Sequence, residues 1–168
     1  WLKLFCGSAP KPAARLYSQL RTLLWLYAMV AAGRLHTVLL RSDGSAVVCG
    51  NNDFGQHDLP PLEHGASYSQ AAAGDAHTVL LRSDGRAVAC GNNHFGQCDL
   101  PEPAPGTTYV QVAAGGAHTV LLRSDGCALA CGNNEFGQRD LPPLEPGVWY
   151  TQVAAGAAYT VLLRSDGR

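Results

Sequence analysis

HTVLLRSDGRAVACGNNHFGQ occupies residues 77–97. It opens as an apolar, β-branched run, HTVLLRSD, reaches Asp84-Gly85, and resumes as RAVACGNN. Asp-Gly between two such runs signals a tight hairpin, because this pair tolerates positive φ at both central turn positions. Strand side chains alternate between two faces, so Val79 and Leu81 are expected on one side of the sheet and Thr78 and Leu80 on the other. Both sides carry apolar residues, so the sheet is expected to be covered on both. The stretch after the hairpin, GNNHFGQCDLPEPAPG (91–106), is rich in glycine, asparagine and proline and reads as loop. A further short strand, YVQVAAG (109–115), leads into the next hairpin. One unit is therefore a small antiparallel sheet of three or four strands with a connecting loop.

The unit recurs. His36, His77, His118 and Tyr159 stand at a constant step of 41 residues, as do Gly33, Gly74, Gly115 and Gly156. A fixed period of this size marks a repeat architecture, in which no unit buries its apolar faces alone. Full copies span 30–70, 71–111 and 112–152, with a partial copy at 153–168; residues 1–29 form a non-repeat N-terminal segment. Fanning the units as blades of a β-propeller buries both faces. A linear β-solenoid fits less well, because a hairpin reverses the chain inside every repeat. The expected fold is thus all-β: a partial propeller of three-stranded antiparallel blades. WD-type propellers share the period, but the Trp-Asp dipeptide is absent from these copies.

RLYSQLRTLLWLYAMV (15–30) places Leu16, Leu20, Leu23, Leu24 and Tyr27 close to helical spacing. A short helix over 15–26, capping the first blade, is the expectation, with a targeting remnant as the alternative. Residues 27–33 align with 150–156 and are expected to form the first strand of the first blade.

The bulk properties exclude several function classes. The formal net charge is −1, and no basic stripe advertises a grip on nucleic acid. No run of about 18 apolar residues suggests a membrane span. Cys49, Cys90 and Cys131 recur once per repeat, each beside a glycine, with no close cysteine partner of the kind a zinc site needs. They read as small buried side chains, and this usage suits a reducing, cytoplasmic setting. Neither metal nor cofactor is expected. No phosphate-binding loop, GxSxG elbow, HExxH or paired CxxC occurs, so the chain is not expected to be an enzyme.

AAGGAHTVLLRSDGCALACGNNEFGQ (113–138) resembles the regulator-of-chromosome-condensation repeat: a glycine, then after two residues a histidine and a small hydroxyl residue, then Asp-Gly, Gly-x-Asn and Gly-Gln. The resemblance covers 30–168. The short period and the "GQ…DLP" ending look closer still to the bacterial β-lactamase-inhibitor propellers, which have three-stranded blades. The resemblance implies a seven-bladed ring, and seven copies at this period need about 290 residues. It therefore also implies a fragment of a longer protein, or a ring completed by missing repeats or another copy. The family often places tryptophan where this chain has Cys49, Cys90 and Cys131.

Comparison of the copies separates scaffold from candidate surface. His36, His77 and His118 are constant and are expected to bond backbone inside the blade. Asp43, Asp84, Asp125 and Asp166 read as turn formers, and Gln56, Gln97 and Gln138 as shapers of the loop and of bonds between blades. Phe54, Phe95 and Phe136 either latch neighbouring blades or stand out as anchors for a partner. Three sets vary: Asp53, His94 and Glu135; His57, Cys98 and Arg139; and Arg34 and Asp75 with their counterparts Gly116 and Ala157. Loops at one end of a propeller share a surface, so these residues are candidates for binding a protein partner; neutral drift is the competing explanation. The leading expectation is a protein-interaction module. The resemblance adds two alternatives: a guanine-nucleotide exchange factor for a small GTPase, or the substrate-binding part of a HECT-type ubiquitin ligase. It also leaves open inhibition of a secreted hydrolase.

Overall fold

The computed structural model describes residues 27–63 and 65–167. The helix expected over 15–26 lies outside them. Strands β1 (Tyr27–Ala32), β2 (His36–Arg41) and β3 (Ala46–Gly50) make the first antiparallel sheet, in that order. β4 (Tyr68–Ala73), β5 (His77–Arg82) and β6 (Ala87–Gly91) make the second, and β7 (Tyr109–Ala114), β8 (His118–Arg123) and β9 (Ala128–Gly132) the third. β10 (Tyr150–Ala155) and β11 (Thr160–Arg164) form a two-stranded half-blade. Registers repeat: Val79 faces Ala72 and Ala89 across the ladder, as Val120 faces Ala113 and Ala130. Each inner strand carries one irregularity near its start, between Tyr68 and Gln70 in the second blade and at the matching positions elsewhere.

The reversal in each blade differs in detail from an Asp-Gly turn with two positive φ angles. Only the glycine takes the left-handed conformation, with φ of 79° at Gly44 and 80° at Gly85 and Gly126. The turn runs over Ser-Asp-Gly. The Gly85 N–H donates to the Arg82 carbonyl (3.0 Å), and the Arg82 N–H donates to the Arg86 carbonyl (2.8 Å). Asp84 serves through its carboxylate, which accepts the Arg86 N–H at 3.1 Å. A short polar side chain doing a backbone's work is the usual reason Asp sits in turns. A Cβ at Gly85 would also come within 2.4 Å of the Thr108 Cβ, so space and φ both demand glycine.

Alternation places the core as read from the sequence. Val79 and Leu81 pack with Tyr109, Val112 and Leu121 of the next blade, while Leu80, with Tyr68 of its own blade, packs backwards on Val38 and Leu40. Val120 and Leu122 meet Tyr150 and Val153 in the same way. Each blade therefore has a trailing face (Val79, Leu81) and a leading face (Leu80). Burying one such Val or Leu is worth about 1.5–3 kcal/mol, so the apolar energy lies between blades rather than within them.

Polar groups repeat the interface. The amide of Gln70, on an inner strand, donates to the Val110 carbonyl (3.1 Å) and accepts the Val112 N–H (3.2 Å). Gln111 makes both bonds to Val153, at 3.0 and 2.9 Å. Each glutamine thus acts as one rung of a ladder between inner strands that do not pair directly. At the hairpin end, the N–H of Tyr68, Tyr109 and Tyr150 donates to the turn glycine of the blade before, at 2.7–2.8 Å. The inner strands converge at the opposite end. There Gly33, Gly74, Gly115 and Gly156, with Arg34 and Asp75, line one cavity of about 210 Å³ on the shared axis. The blades fan around that axis as a partial propeller.

Candidate functional site

β1 ends, β2 begins and β3 ends at one end of the sheet, and every blade repeats this. The β1–β2 connection and the first turn after β3 therefore share one surface, opposite the Asp-Gly hairpins. All the candidate residues lie there: Arg34 and Asp75 on the inner connections; Asp53, Phe54, His57, His94, Phe95, Cys98, Glu135, Phe136 and Arg139 on the outer turns. The topology brings them to one face.

The outer turn is a rigid object. In the first blade the Asn51 side-chain carbonyl accepts the Asp53 N–H (3.1 Å) and the Gln56 amide (2.9 Å). Gln56 accepts the Phe54 N–H (3.0 Å), and Asn52 accepts the His57 N–H (2.7 Å). Gly55 supplies the left-handed residue, with φ of 77°. The same bonds recur around Gln97 and Gln138. Three side chains that replace backbone partners hold a six-residue turn, and Phe sits at its outermost point. Phe54, Phe95 and Phe136 remain 50, 52 and 75% exposed. Phe54 also meets the His94 ring of the next blade edge-on, centroids 6.3 Å apart and planes at 83°. That one aromatic latches a neighbour and still offers half its surface.

The variable positions divide. Asp53, His94 and Glu135 are exposed, and so is Arg34, which lies 3.7 Å from Asp75 across the blade boundary. An exposed pair at that distance contributes little stability. In the set of His57, Cys98 and Arg139, the last two bond back toward their own turn. Cys98 Sγ lies 3.4 Å from the Asn92 carbonyl, and Arg139 donates to the Gly132 carbonyl at 3.0 Å while remaining exposed. His57 is half-buried. Strand alternation cannot foresee this, because the tight turn sets which way position 57 points. Among the described residues no three His, Cys, Asp or Glu side chains gather as a metal ion would need. No described helix is long and apolar enough to cross a membrane.

Beneath the turns lies the bond that joins blade to blade. His36 Nε2 is 3.0 Å from Thr78 Oγ1, His77 Nε2 is 3.1 Å from Thr119 Oγ1, and His118 Nε2 is 3.0 Å from Thr160 Oγ1. The partner is a hydroxyl on the following blade, not backbone of the same blade. Each threonine in turn donates to a glutamine carbonyl: Thr78 to Gln56 (2.8 Å), Thr119 to Gln97 (2.8 Å) and Thr160 to Gln138 (2.6 Å). A hydroxyl has one proton, so the histidine must donate at Nε2. Nδ1 then keeps its lone pair, and in all three rings it is buried without a partner. The Cε1–Nδ1 edge of the ring lies against a glycine: a Cβ at Gly74 would fall 2.3 Å from His77 Cε1 and 2.4 Å from the Gly115 carbonyl. Burial pushes the His77 pKa down to about 4, with the charges of His36 and His118 adding to it, and lowers His118; in His36 burial leads and the charge of His57 follows.

The repeated cysteines complete the junction. Cys90 and Cys131 direct Sγ at the Gln56 and Gln97 carbonyls, at 3.5 and 3.6 Å, beside the threonine hydroxyls. Burial raises their thiols to about 11, and raises Cys98, helped by neighbouring Cys90, Cys131 and Asp99, to about 12. No described cysteine is in a disulfide. At pH 8 the folded chain should expose these three thiols to an aromatic disulfide reagent roughly 100-fold more slowly than the urea-unfolded chain, since only the thiolate reacts. Equal rates in both states, followed residue by residue by mass spectrometry, would show that the junction does not shield them.

Comparison with known proteins agrees with this geometry. The sequence profile of the Regulator of chromosome condensation (RCC1) repeat matches residues 30–56, 68–97 and 109–138. No curated protein sequence matches the chain. Among solved structures, yeast Prp20 bound to Kap60 aligns with a TM-score of 0.69 at 22% identity, covering 82% of this chain and 41% of that one. Human WBSCR16 aligns at 0.70 and 21% identity, covering 83% and 46%. The ectodomain of the Physcomitrella patens receptor kinase CR4 aligns at 0.59 and 19% identity, covering 78% and 34%. These likenesses concern the fold. The chain spans less than half the length of each of these structures.

Proposed function

This chain belongs to the regulator of chromosome condensation repeat family, and from that premise we propose that its repeat domain, residues 30–168, is a protein-binding module docking its partner on the turn face. Phe54, Phe95 and Phe136 are the apolar anchors. Asp53, His94, Glu135, Arg34, Asp75 and Arg139 set the charge pattern around them, while His57 and Cys98 support the turns from inside. The observation that carries this reading is the row of three phenylalanines, each half exposed or more, on turns held by side-chain bonds. Large aromatics cost free energy when left in water, and rigid presentation lowers the entropic cost of binding through them. A protein as partner is in keeping with the yeast structure, in which Prp20 is bound to Kap60, and with the reported binding of Prp20p to Gsp1p and histones.

The test is a triple variant, Phe54→Ala with Phe95→Ala and Phe136→Ala, set against Arg86→Ala at the hairpin end. A photo-crosslinking amino acid at position 95 identifies the partner first. The triple variant should then weaken binding at least tenfold with an unchanged urea midpoint, and Arg86→Ala should leave binding intact. Equal binding by the triple variant would remove the turn face from the interface. The same variants in a nucleotide-release assay with small GTPases examine the exchange-factor alternative.

A further inference from the structure

The outer turns are acidic, and no cation inside the protein balances them. They carry Asp53, Asp58, Asp99, Glu135 and Asp140 against Arg139, all exposed. Asp58, Asp99 and Asp140 stand at the same place in each turn. Their carboxylates accept N–H groups from the neutral side chains of Asn52, Asn93 and Asn134, at 3.4, 2.8 and 2.9 Å. Asn51 donates to Asp53 in the same manner, at 2.7 Å. A neutral amide fixes a carboxylate in place and leaves its charge on offer. Arg139 donates to the Gly132 carbonyl instead of a carboxylate. Among the described residues, the one ion pair on this face is that of Arg34 with Asp75. The hairpin end is built differently, because there Arg82, Arg123 and Arg164 sit on Asp84, Asp125 and Asp166. The unpaired carboxylates lie beside the phenylalanines: a Cβ on the glycine that follows Phe54 or Phe95 would fall 2.8 Å from Asp58 Oδ2 or 3.1 Å from Asp99 Oδ2. The second turn has a described blade on either side of it, and Phe95 is still 52% exposed.

We propose that the partner segment docked on the turn face is rich in arginine, its guanidinium groups lying on the phenylalanine rings and bonding the carboxylates beside them. This rests on the reading of the turn face as the docking surface and names the chemistry of what docks. An aromatic face attracts a cation, and a carboxylate next to the ring gives the same cation a second contact. Arginine suits both at once: its planar group stacks on a ring while its N–H fork meets a carboxylate edge-on, and it is less strongly hydrated than lysine. An acidic segment would set like charges against Asp58 and Asp99 and be repelled. A purely apolar segment would cover the phenylalanines but strip water from those carboxylates without replacing it.

Fluorescence anisotropy on the full 168-residue chain tests this with short labelled peptides that alternate leucine with arginine, lysine or glutamate. The arginine peptide should bind most tightly, the lysine peptide about threefold more weakly, and the glutamate peptide at least tenfold more weakly. Raising sodium chloride from about 50 to 300 mM should weaken the arginine peptide about tenfold. Asp53→Asn combined with Asp99→Asn and Glu135→Gln keeps the side-chain shapes and an acceptor oxygen at each site. That variant should lose at least tenfold in affinity for the arginine peptide with an unchanged urea midpoint. Glu102→Gln, beside Arg82 and Arg86 at the hairpin end, should bind as the parent does. A lysine or glutamate peptide that binds as tightly as the arginine one, or a neutralised variant that binds like the parent, would overturn the assignment. The triple phenylalanine variant tells the two failures apart. If it loses the arginine peptide while the neutralised variant keeps it, the turn face stands and the arginine-rich partner falls; if both keep it, the turn face falls as well.

Discussion

His77→Ala is expected to lower the unfolding free energy by about 3 kcal/mol, read as a fall in the urea midpoint with an unchanged slope. The side chain is wholly buried, and two things are lost with it, the filled space over Gly74 and the bond to Thr119 that spans the blade boundary. A cavity opens over Gly74, where the ring now lies. Thr119 loses the donor at 3.1 Å. The stability of a repeat array is close to a sum of unit and neighbour terms, and here the apolar contacts show that neighbour terms dominate. Thr119→Val separates the contributions. It keeps the shape, removes the hydroxyl, and leaves the His77 Nε2–H without an acceptor, which should cost about 1–2 kcal/mol. If His77→Ala changes the midpoint no more than a surface substitution does, the histidine-to-threonine bond is not what couples the blades.

That bond explains why the same residues recur. Histidine and threonine are adjacent in sequence in blades one to three, but they serve opposite sides of the sheet. The histidine reaches forward to the next threonine, and the threonine receives from the blade before. The glutamine amide then ties the outer turn together, while its carbonyl anchors the next blade. A single residue, Gln56, thereby links the fold of the turn that presents Phe54 to the docking of the following blade. Rigidity of the presenting surface and stability of the array have a common origin.

What could be read from the residues follows from distance along the chain. The hairpin, the strands and the assignment of Val79 and Leu81 to one face depend on neighbours within a few residues, and periodicity reveals them. The partner of His36 stands 42 residues away, on another sheet. Nothing local distinguishes that partner from backbone of the same blade. The signal was nevertheless present: wherever a histidine recurs, the threonine after it recurs too. Gln70, Gln111 and Gln152 escape a local reading for a related reason. A polar residue on an otherwise apolar inner strand, kept at the repeat step, signals a bond to the neighbouring blade. The candidate surface was legible as a face, because topology sends all those loops to one end. The inward turn of Cys98 and His57 was not, because it depends on the left-handed glycine and the asparagine bonds of a particular turn.

Acid should loosen the array between pH 6.5 and pH 4, with the sign fixed by which state takes up the proton. An unfolded histidine titrates near 6.5. In the folded chain burial holds His77 at about 4, and holds His36 and His118 below 6.5. Between these values the unfolded state binds more protons than the folded state, so stability falls as pH falls. Above pH 6.5 both states are neutral and this contribution is fully present; below about 4 it is gone. For His77 alone the difference amounts to about 3 kcal/mol. A proton could enter only at Nδ1, since Nε2 already carries the one given to Thr119, and Nδ1 lies buried with no acceptor for a new N–H. Carboxylates act in a lower window. Asp125, held near 2 by Arg123, loses its contribution between its unfolded value of about 3.9 and 2, mostly below the window in which the histidines act. Urea midpoints measured at half-unit intervals from pH 8 to pH 4 should be flat to about 6.5 and then decline. His77→Asn, though less stable throughout, should decline less steeply than the parent. A parent midpoint flat through the whole range would mean that the rings are protonated in the folded chain, which the bond to threonine and the burial of Nδ1 do not permit.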